Sequence, residues 1–128
     1  MESVLFVCTH NSARSQLAAA LWSRDVGTEA VSAGTHPATE VHPGAVDAAR
    51  RAGLDLSGAR PQHLDQLAIE PILIVTVCDR AHEDLAPGDA WWHWSIPDPL
   101  DDPSSDAFDR ALERLRTRIH TLTQETDR

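Results

Sequence analysis

Apolar and polar positions change rhythm along this chain so that strand-like runs alternate with helix-like ones. Val4-Leu5-Phe6-Val7 is an unbroken apolar run of β-branched and aromatic character, and it predicts a buried strand. A short polar loop follows, and then the Ala-rich segment Ser15 to Arg24 predicts a helix. Glu29 to Gly34 predicts a second, short strand ending in a glycine turn. Strand, helix and strand make a βαβ unit, whose parallel strands need a right-handed crossover. Thr35 to Pro43 reads as a loop, Ala45 to Gly53 as a helix with arginines in its last turn and glycine at its end, and Leu54 to Pro61 as a loop again. Gln62 to Leu67 has the spacing of a short helix or turn.

Ile72 to Val77 is apolar without alternation, as an interior parallel strand covered on both faces should be. Asp79 to Leu85 predicts a helix stopped by Ala86-Pro87-Gly88-Asp89, and Trp91 to Ser95 a short fourth strand. Ile96-Pro97-Asp98-Pro99 is a stiff loop, because the two prolines restrict the backbone around Asp98. From Ser104 or Ser105 to about Leu122, apolar residues at Phe108, Ala111, Leu112, Leu115, Ile119 and Leu122 recur at helical spacing. The expectation is one α/β domain over residues 1–128, with a four-stranded parallel sheet and helices on both faces.

Composition narrows the function. With 128 residues and 41% hydrophobic content the chain suits a single core. A net charge of −9, from 11 basic and 20 acidic residues, argues against nucleic-acid binding. Met1-Glu2-Ser3 lacks a basic leader, the run Val4 to Val7 is too short for a signal peptide, and no stretch is long enough to span a membrane; a cytoplasmic location is expected. Two cysteines make no disulfide framework but leave room for a transient, catalytic bond. Cys78-x3-His82 has no second ligand pair and the other histidines are scattered, so neither a metal nor another cofactor is expected. The tryptophans at 91, 92 and 94 are expected to pack or cover an edge rather than to form a substrate platform.

The candidate chemistry starts at Cys8-Thr9-His10-Asn11-Ser12-Ala13-Arg14-Ser15. A strand, a small-residue loop and a helix N-terminus make an anion nest, with backbone N–H groups turned inward and the helix dipole behind them. Arg14, in the first helical turn, brings a planar fork that grips two oxygens of a tetrahedral oxyanion. Cys8 would lie under the central atom, with its thiol pKa pulled below the free value, as a nucleophile. The plainer alternative is a buried strand-end cysteine before an ordinary helix. Cys78 ends its own strand on the rim where open α/β sheets bind ligands, and it is either a second redox-active thiol or a structural residue. His10 either tunes the loop or faces outward. Asp102, beside Pro103, competes with Asp98 as the carboxyl aimed at the site.

Phe6 to Gln16, Ser32-Ala33-Gly34-Thr35, Val75 to Cys78 and Trp94 to Pro99, taken in order, resemble the low-molecular-weight protein tyrosine phosphatase superfamily, and within it the arsenate reductases of that fold. The resemblance implies strand order 2-1-3-4, with the two cysteine-bearing strands adjacent. It also implies Cys8 as nucleophile, Arg14 as oxyanion clamp, Asn11 as the holder of the loop shape, Ser15 as a partner of the thiolate, Asp98 as acid and Cys78 as second thiol. The phosphatases usually follow Arg-Ser with Pro and the reductases with Gln, as Gln16 does here. Departures are Leu85 where thioredoxin-coupled members carry a third cysteine, Ala13 for a loop cysteine, and Ala19 where potassium-binding members have Glu. The function implied is reduction of arsenate to arsenite, with a thioredoxin-like protein or a low-molecular-weight thiol as reductant. The alternatives are hydrolysis of phosphotyrosine through a cysteinyl-phosphate, and a non-catalytic oxyanion-binding module.

Overall fold

In the computed structural model, which describes residues 3–67, 73–85 and 91–126, the most buried strand is the first. Every residue of β1 (Val4–Cys8) is buried, as its unbroken apolar run requires. It pairs in parallel with β2 (Ala30–Gly34), Cys8 opposite Gly34, and on its other side with β3 (Leu73–Thr76), Val7 opposite Thr76. β4 (Trp92–His93) adds to β3, giving the order β2-β1-β3-β4 implied by the resemblance.

Steps from β1 to β2 and from β3 to β4 run in opposite directions along the sheet, so right-handed crossovers put their helices on opposite faces. α1 (Arg14–Asp25) packs on β1 and β2 and is joined by α2 (Pro43–Arg51) and α4 (Ala107–Thr126), while α3 (Asp79–Leu85) packs on β1 and β3. Phe6 ties the layers together, with Trp22 of α1 edge-on at 6.0 Å and Trp94 tilted at 5.8 Å. Burying such side chains contributes about 1.5–3 kcal/mol each. Among the described residues, no helix is long and apolar enough to cross a membrane.

Three boundaries differ from the sequence pattern, each for a local reason. α2 starts at Pro43, because the His42 ring accepts from the Gly44 amide at 2.9 Å and proline suits the first helical position. It ends before Gly53, whose φ of +81° is the left-handed conformation glycine adopts freely. β4 is two residues long rather than five: Trp94 N still donates to Thr76 O, but the Ile96 carbonyl is taken by Arg14 and prolines follow. α4 begins at Ala107, since the Asp102 carboxylate holds both the amide and the hydroxyl of Ser104 in a turn. A one-turn 3₁₀ helix at Leu64–Gln66 occupies the expected 62–67 segment, boxed by His63 and Gln66. Ile72 and the stop at 86–89 lie outside the described residues, as do Met1 and Glu2. The tryptophans divide: Trp94 is core, Trp92 is 44% exposed on the edge strand.

Candidate active site

The loop from Thr9 to Ala13 is turned by what holds its carbonyls. Those of Cys8, Thr9, His10 and Ser12 accept from the amides of Thr35, His36, Ala38 and His42 at 2.8–3.3 Å. With the carbonyls drawn toward the segment after β2, the intervening N–H groups are left to face the other way, into the loop. The start of α1 adds to them. Ala13 at the N-cap supplies no side-chain acceptor, so the first-turn amides, which have no intrahelical partner, also open on the loop. The other described N-caps, at His42, His63 and Asp98, all use a side chain.

Asn11 fixes the curvature. Its φ of 51° is the left-handed value that Asn tolerates better than most residues, and its side chain is fully buried. The Asn11 amide group donates to Ser15 Oγ at 2.7 Å, while its Oδ1 accepts from Gln16 Nε2 at 3.2 Å and Gln62 N at 2.9 Å. Gln16 also donates to the Asn11 and Arg60 carbonyls. Gln16 therefore braces the loop from behind instead of facing its mouth.

Cys8 Sγ, 3% exposed, lies at the floor within 2.9 Å of Ser15 Oγ and 3.3 Å of the Asn11 amide. Because Ser15 accepts from Asn11, its hydroxyl proton is available to the sulfur. Burial nevertheless pushes the Cys8 thiol up, against the downward pull of Ser15, Arg14 and the Asn11 amide. The expected depression of this pKa is thus corrected: loss of solvent around the buried sulfur outweighs the donors.

Arg14 arches over the loop, Nη1 donating to the Ile96 carbonyl at 2.7 Å and Nη2 lying 3.5 Å from Asp98 Oδ2. Asp98 is held by its other oxygen, which accepts from Leu100 N at 2.9 Å. Asp102 borders the same cavity, but its carboxylate is committed to Ser104 and Arg110. Cys78, 2% exposed, accepts from Ala81 N at 3.3 Å and meets Thr9 Oγ1 at 3.2 Å, so the second thiol touches the residue next to the first. These groups open on a cavity of about 780 Å³ whose wall includes Thr9, Arg14, Cys78, Asp79, Ile96 and Asp98. His10 is exposed at its edge, donating to the His36 carbonyl.

The structure therefore brings together Cys8, Arg14, Asp98 and Cys78 around a loop of Thr9, His10, Asn11, Ser12, Ala13 and Ser15. Gln62, Gln16 in its bracing role, and the Asp79–His93 pair beside Cys78 were not singled out by sequence; their partners come from distant segments. Among the described residues, no group of three or more His, Cys, Asp or Glu side chains is placed to hold a metal ion.

Residues 3–128 match the family model described as low molecular weight phosphotyrosine protein phosphatase. The chain is 32% identical over 126 residues to arsenate reductase 2 of Staphylococcus epidermidis, covering 94% of this chain and 95% of that one. It superimposes on a solved arsenate reductase in the phosphate-binding state with a TM-score of 0.80, at 24% identity over 98% of both chains. The YwlE arginine phosphatase from Geobacillus stearothermophilus matches with a TM-score of 0.81, at 24% identity over 99% of this chain and 94% of that one. At those identities the two structures show the shared fold.

Proposed function

The chain belongs to the low molecular weight phosphotyrosine protein phosphatase family and is a thiol-based, phosphatase-like enzyme; from that premise we propose that it reduces arsenate to arsenite. The observation that carries the proposal is the second thiol. Cys78 touches the Cys8 loop through Thr9, and a hydrolase, in which water completes the cycle, has no use for it. The relatives named arsenate reductase, matched over nearly the whole chain, support the same reading.

In the proposed reaction the inward amides and Arg14 hold the arsenate oxygens, and Cys8 sulfur attacks arsenic. An oxygen leaves as water. The proton that the Cys8 thiol gives up balances the one this leaving group takes, and Asp98, beside Arg14, delivers it. A thiol that keeps its proton until substrate arrives is compatible with this step. Cys78 sulfur then attacks Cys8 sulfur: the sulfur–arsenic bond breaks, its electron pair passes to arsenic, the Cys78 thiol proton goes to an arsenite oxygen, arsenite leaves, and a Cys8–Cys78 disulfide remains. The chain has two cysteines, so the disulfide cannot be relayed to a third. A thioredoxin-like protein or a low-molecular-weight thiol reduces it, in a reducing compartment such as the cytoplasm.

Arsenate mixed with reduced protein and no external thiol should yield about one arsenite per chain, with a Cys8–Cys78 peptide pair in the mass spectrum, because each chain holds one dithiol. Sustained hydrolysis of an aryl phosphate with neither arsenite nor disulfide would replace this reading by the phosphatase one. Against the phosphatase stand Gln16 where the phosphatases usually have Pro, and the absence of any tyrosine beside Asp98-Pro99, where the resemblance implies aromatic residues flanking the substrate ring.

A further inference from the structure

Behind the loop, one amide group meets three oxygens. Gln16 Nε2 lies 3.1 Å from the Asn11 carbonyl, 3.2 Å from Asn11 Oδ1 and 3.2 Å from the Arg60 carbonyl. All three oxygens only accept, so Gln16 shares its two protons among them and the direction of each contact is settled. The Asn11 side chain is settled in the same way. A backbone N–H only donates, so the atom that meets Gln62 N at 2.9 Å is the oxygen, and the Asn11 nitrogen is the atom 2.7 Å from Ser15 Oγ. Ser15, fully buried, lies 2.9 Å from Cys8 Sγ. A thiolate has no proton, so once Cys8 is ionised the Ser15 hydroxyl can only donate to it, as the Asn11 amide does at 3.3 Å.

Both donors to the sulfur therefore depend on where Asn11 stands, and Asn11 has a left-handed backbone, φ 51°, that its contacts must keep. Gln62 gives it one anchor. That residue is fixed to β2, its side chain donating to the Ser32 carbonyl at 2.9 Å and its own carbonyl accepting from Gly34 N at 2.8 Å. One bond to Oδ1 still leaves the Asn11 amide free to pivot about it. Gln16, 6% exposed, removes that freedom: from α1 it grips the backbone and the side-chain oxygen of the same residue and ties both to Arg60. We propose that Gln16 is a positioning residue for the nucleophile, which through Asn11 holds the Ser15 hydroxyl on Cys8. The inference rests on the reading of Cys8 as the nucleophile of this loop, not on which reaction follows. The charged or titratable groups that face the sulfur are Arg14 on α1, Cys78 across Thr9 and Asp98 beside Arg14; the cavity wall beyond adds His10, Asp79, Arg80, Asp101 and Asp102. A substitution at Gln16 leaves all of them in place.

Gln16→Met keeps the length of the side chain and removes its donor. Alkylation by iodoacetamide against pH, read at the Cys8 peptide by mass spectrometry, should give this variant a midpoint about 0.5–1 pH unit above wild type, since Ser15 and the Asn11 amide are what pull the thiol down against burial. In a Ser15→Ala background the same substitution should move the midpoint by less than half as much, because the contact it acts through is gone. A general loosening of the fold would give equal shifts in both backgrounds. A Gln16→Met midpoint equal to wild type, or a full-sized shift in the Ser15→Ala background, overturns the proposal. If Gln16→Met does not fold, Gln16→Leu, also apolar and helix-forming, takes its place with the same two expectations and the same two refutations. Turnover of an aryl phosphate by Cys8→Ser is a different result: it removes the reading of Cys8 as nucleophile and this inference with it.

Discussion

Asn11 shows at the scale of one residue how much of the site depends on contacts that sequence spacing does not reveal. That a small polar residue should turn the loop was readable, since Asn tolerates positive φ. That its side-chain Oδ1 would be met by Gln62 N, 51 positions on, was not. Cys8 and Arg14 were legible because strand, loop and helix set their geometry within seven residues; the sign of the Cys8 shift was not, because it depends on how deeply the tertiary core covers the sulfur. Folding raises this thiol's pKa, so the folded chain holds the proton to higher pH than the unfolded one. The stability tied to it is complete below the free-thiol value of ~8.5 and is lost as pH rises through the folded value. Alkylation rates against pH should give a Cys8 midpoint above the free value, moved further up in Ser15→Ala, which removes the largest opposing contact; a midpoint below it would restore the activated-thiolate expectation. Asp98 and Asp102 also separate at this scale. Asp98→Asn should lower kcat by roughly 10²–10⁴, while Asp102→Asn, whose carboxylate serves an exposed pair, should stay within about fivefold of wild type. The reverse order in steady-state kinetics would move the acid to Asp102.

Among the elements, β1 and α1 could be read from sequence because the first is buried along its whole length and the second along one stripe, and β3 because its apolar run is unbroken, although only its second half, Val75 and Thr76, is fully buried. β4 could not be bounded that way. Its aromatic residues have strand character, but the pairing stops where Arg14 captures the Ile96 carbonyl, a contact 82 positions apart in sequence. Gly34 is the element-scale feature that links the sheet to the site. It ends β2 opposite Cys8, and a Cβ placed there would come within 2.6 Å of the Thr9 carbonyl oxygen, with Asn11 at 3.1 Å. Backbone cannot step aside as a side-chain tip can. Gly34→Ala should therefore cost about 1–3 kcal/mol in chemical denaturation, by the overpacking it imposes, and should weaken sulfate binding, because the displaced carbonyls are those that turn the loop. Unaltered stability together with unaltered binding would mean that the contact between β2 and the loop is looser than it stands.

At the scale of the molecule, the sheet order decides which strand ends are neighbours. Sequence periodicity identifies parallel strands without ordering them; the order came from resemblance, and the observed β2-β1-β3-β4 sheet sets β3 beside β1. That adjacency brings Cys78 to the rim occupied by the Cys8 loop although 69 residues separate Thr9 from Cys78. It also divides the chemistry into two separable halves. In the proposed reaction, attack on the oxyanion uses Cys8, Arg14 and Asp98, and removing the oxidation from the adduct uses a second sulfur, supplied either by Cys78 or by an external thiol. Cys78→Ser should leave hydrolysis of a small aryl phosphate within about fivefold of wild type, because Ser can still meet Thr9 and the Ala81 amide and because the hydrolytic half does not use the sulfur. The same variant should release no arsenite when protein thiols are the sole reductant. Arsenite measured against added low-molecular-weight thiol then distinguishes two cycles. No recovery at any thiol concentration means that Cys78 is obligatory and the external donor acts on the finished disulfide. Full recovery means that the external thiol attacks the Cys8 adduct directly, and Cys78 is the buried strand-end residue that its 2% exposure also allows.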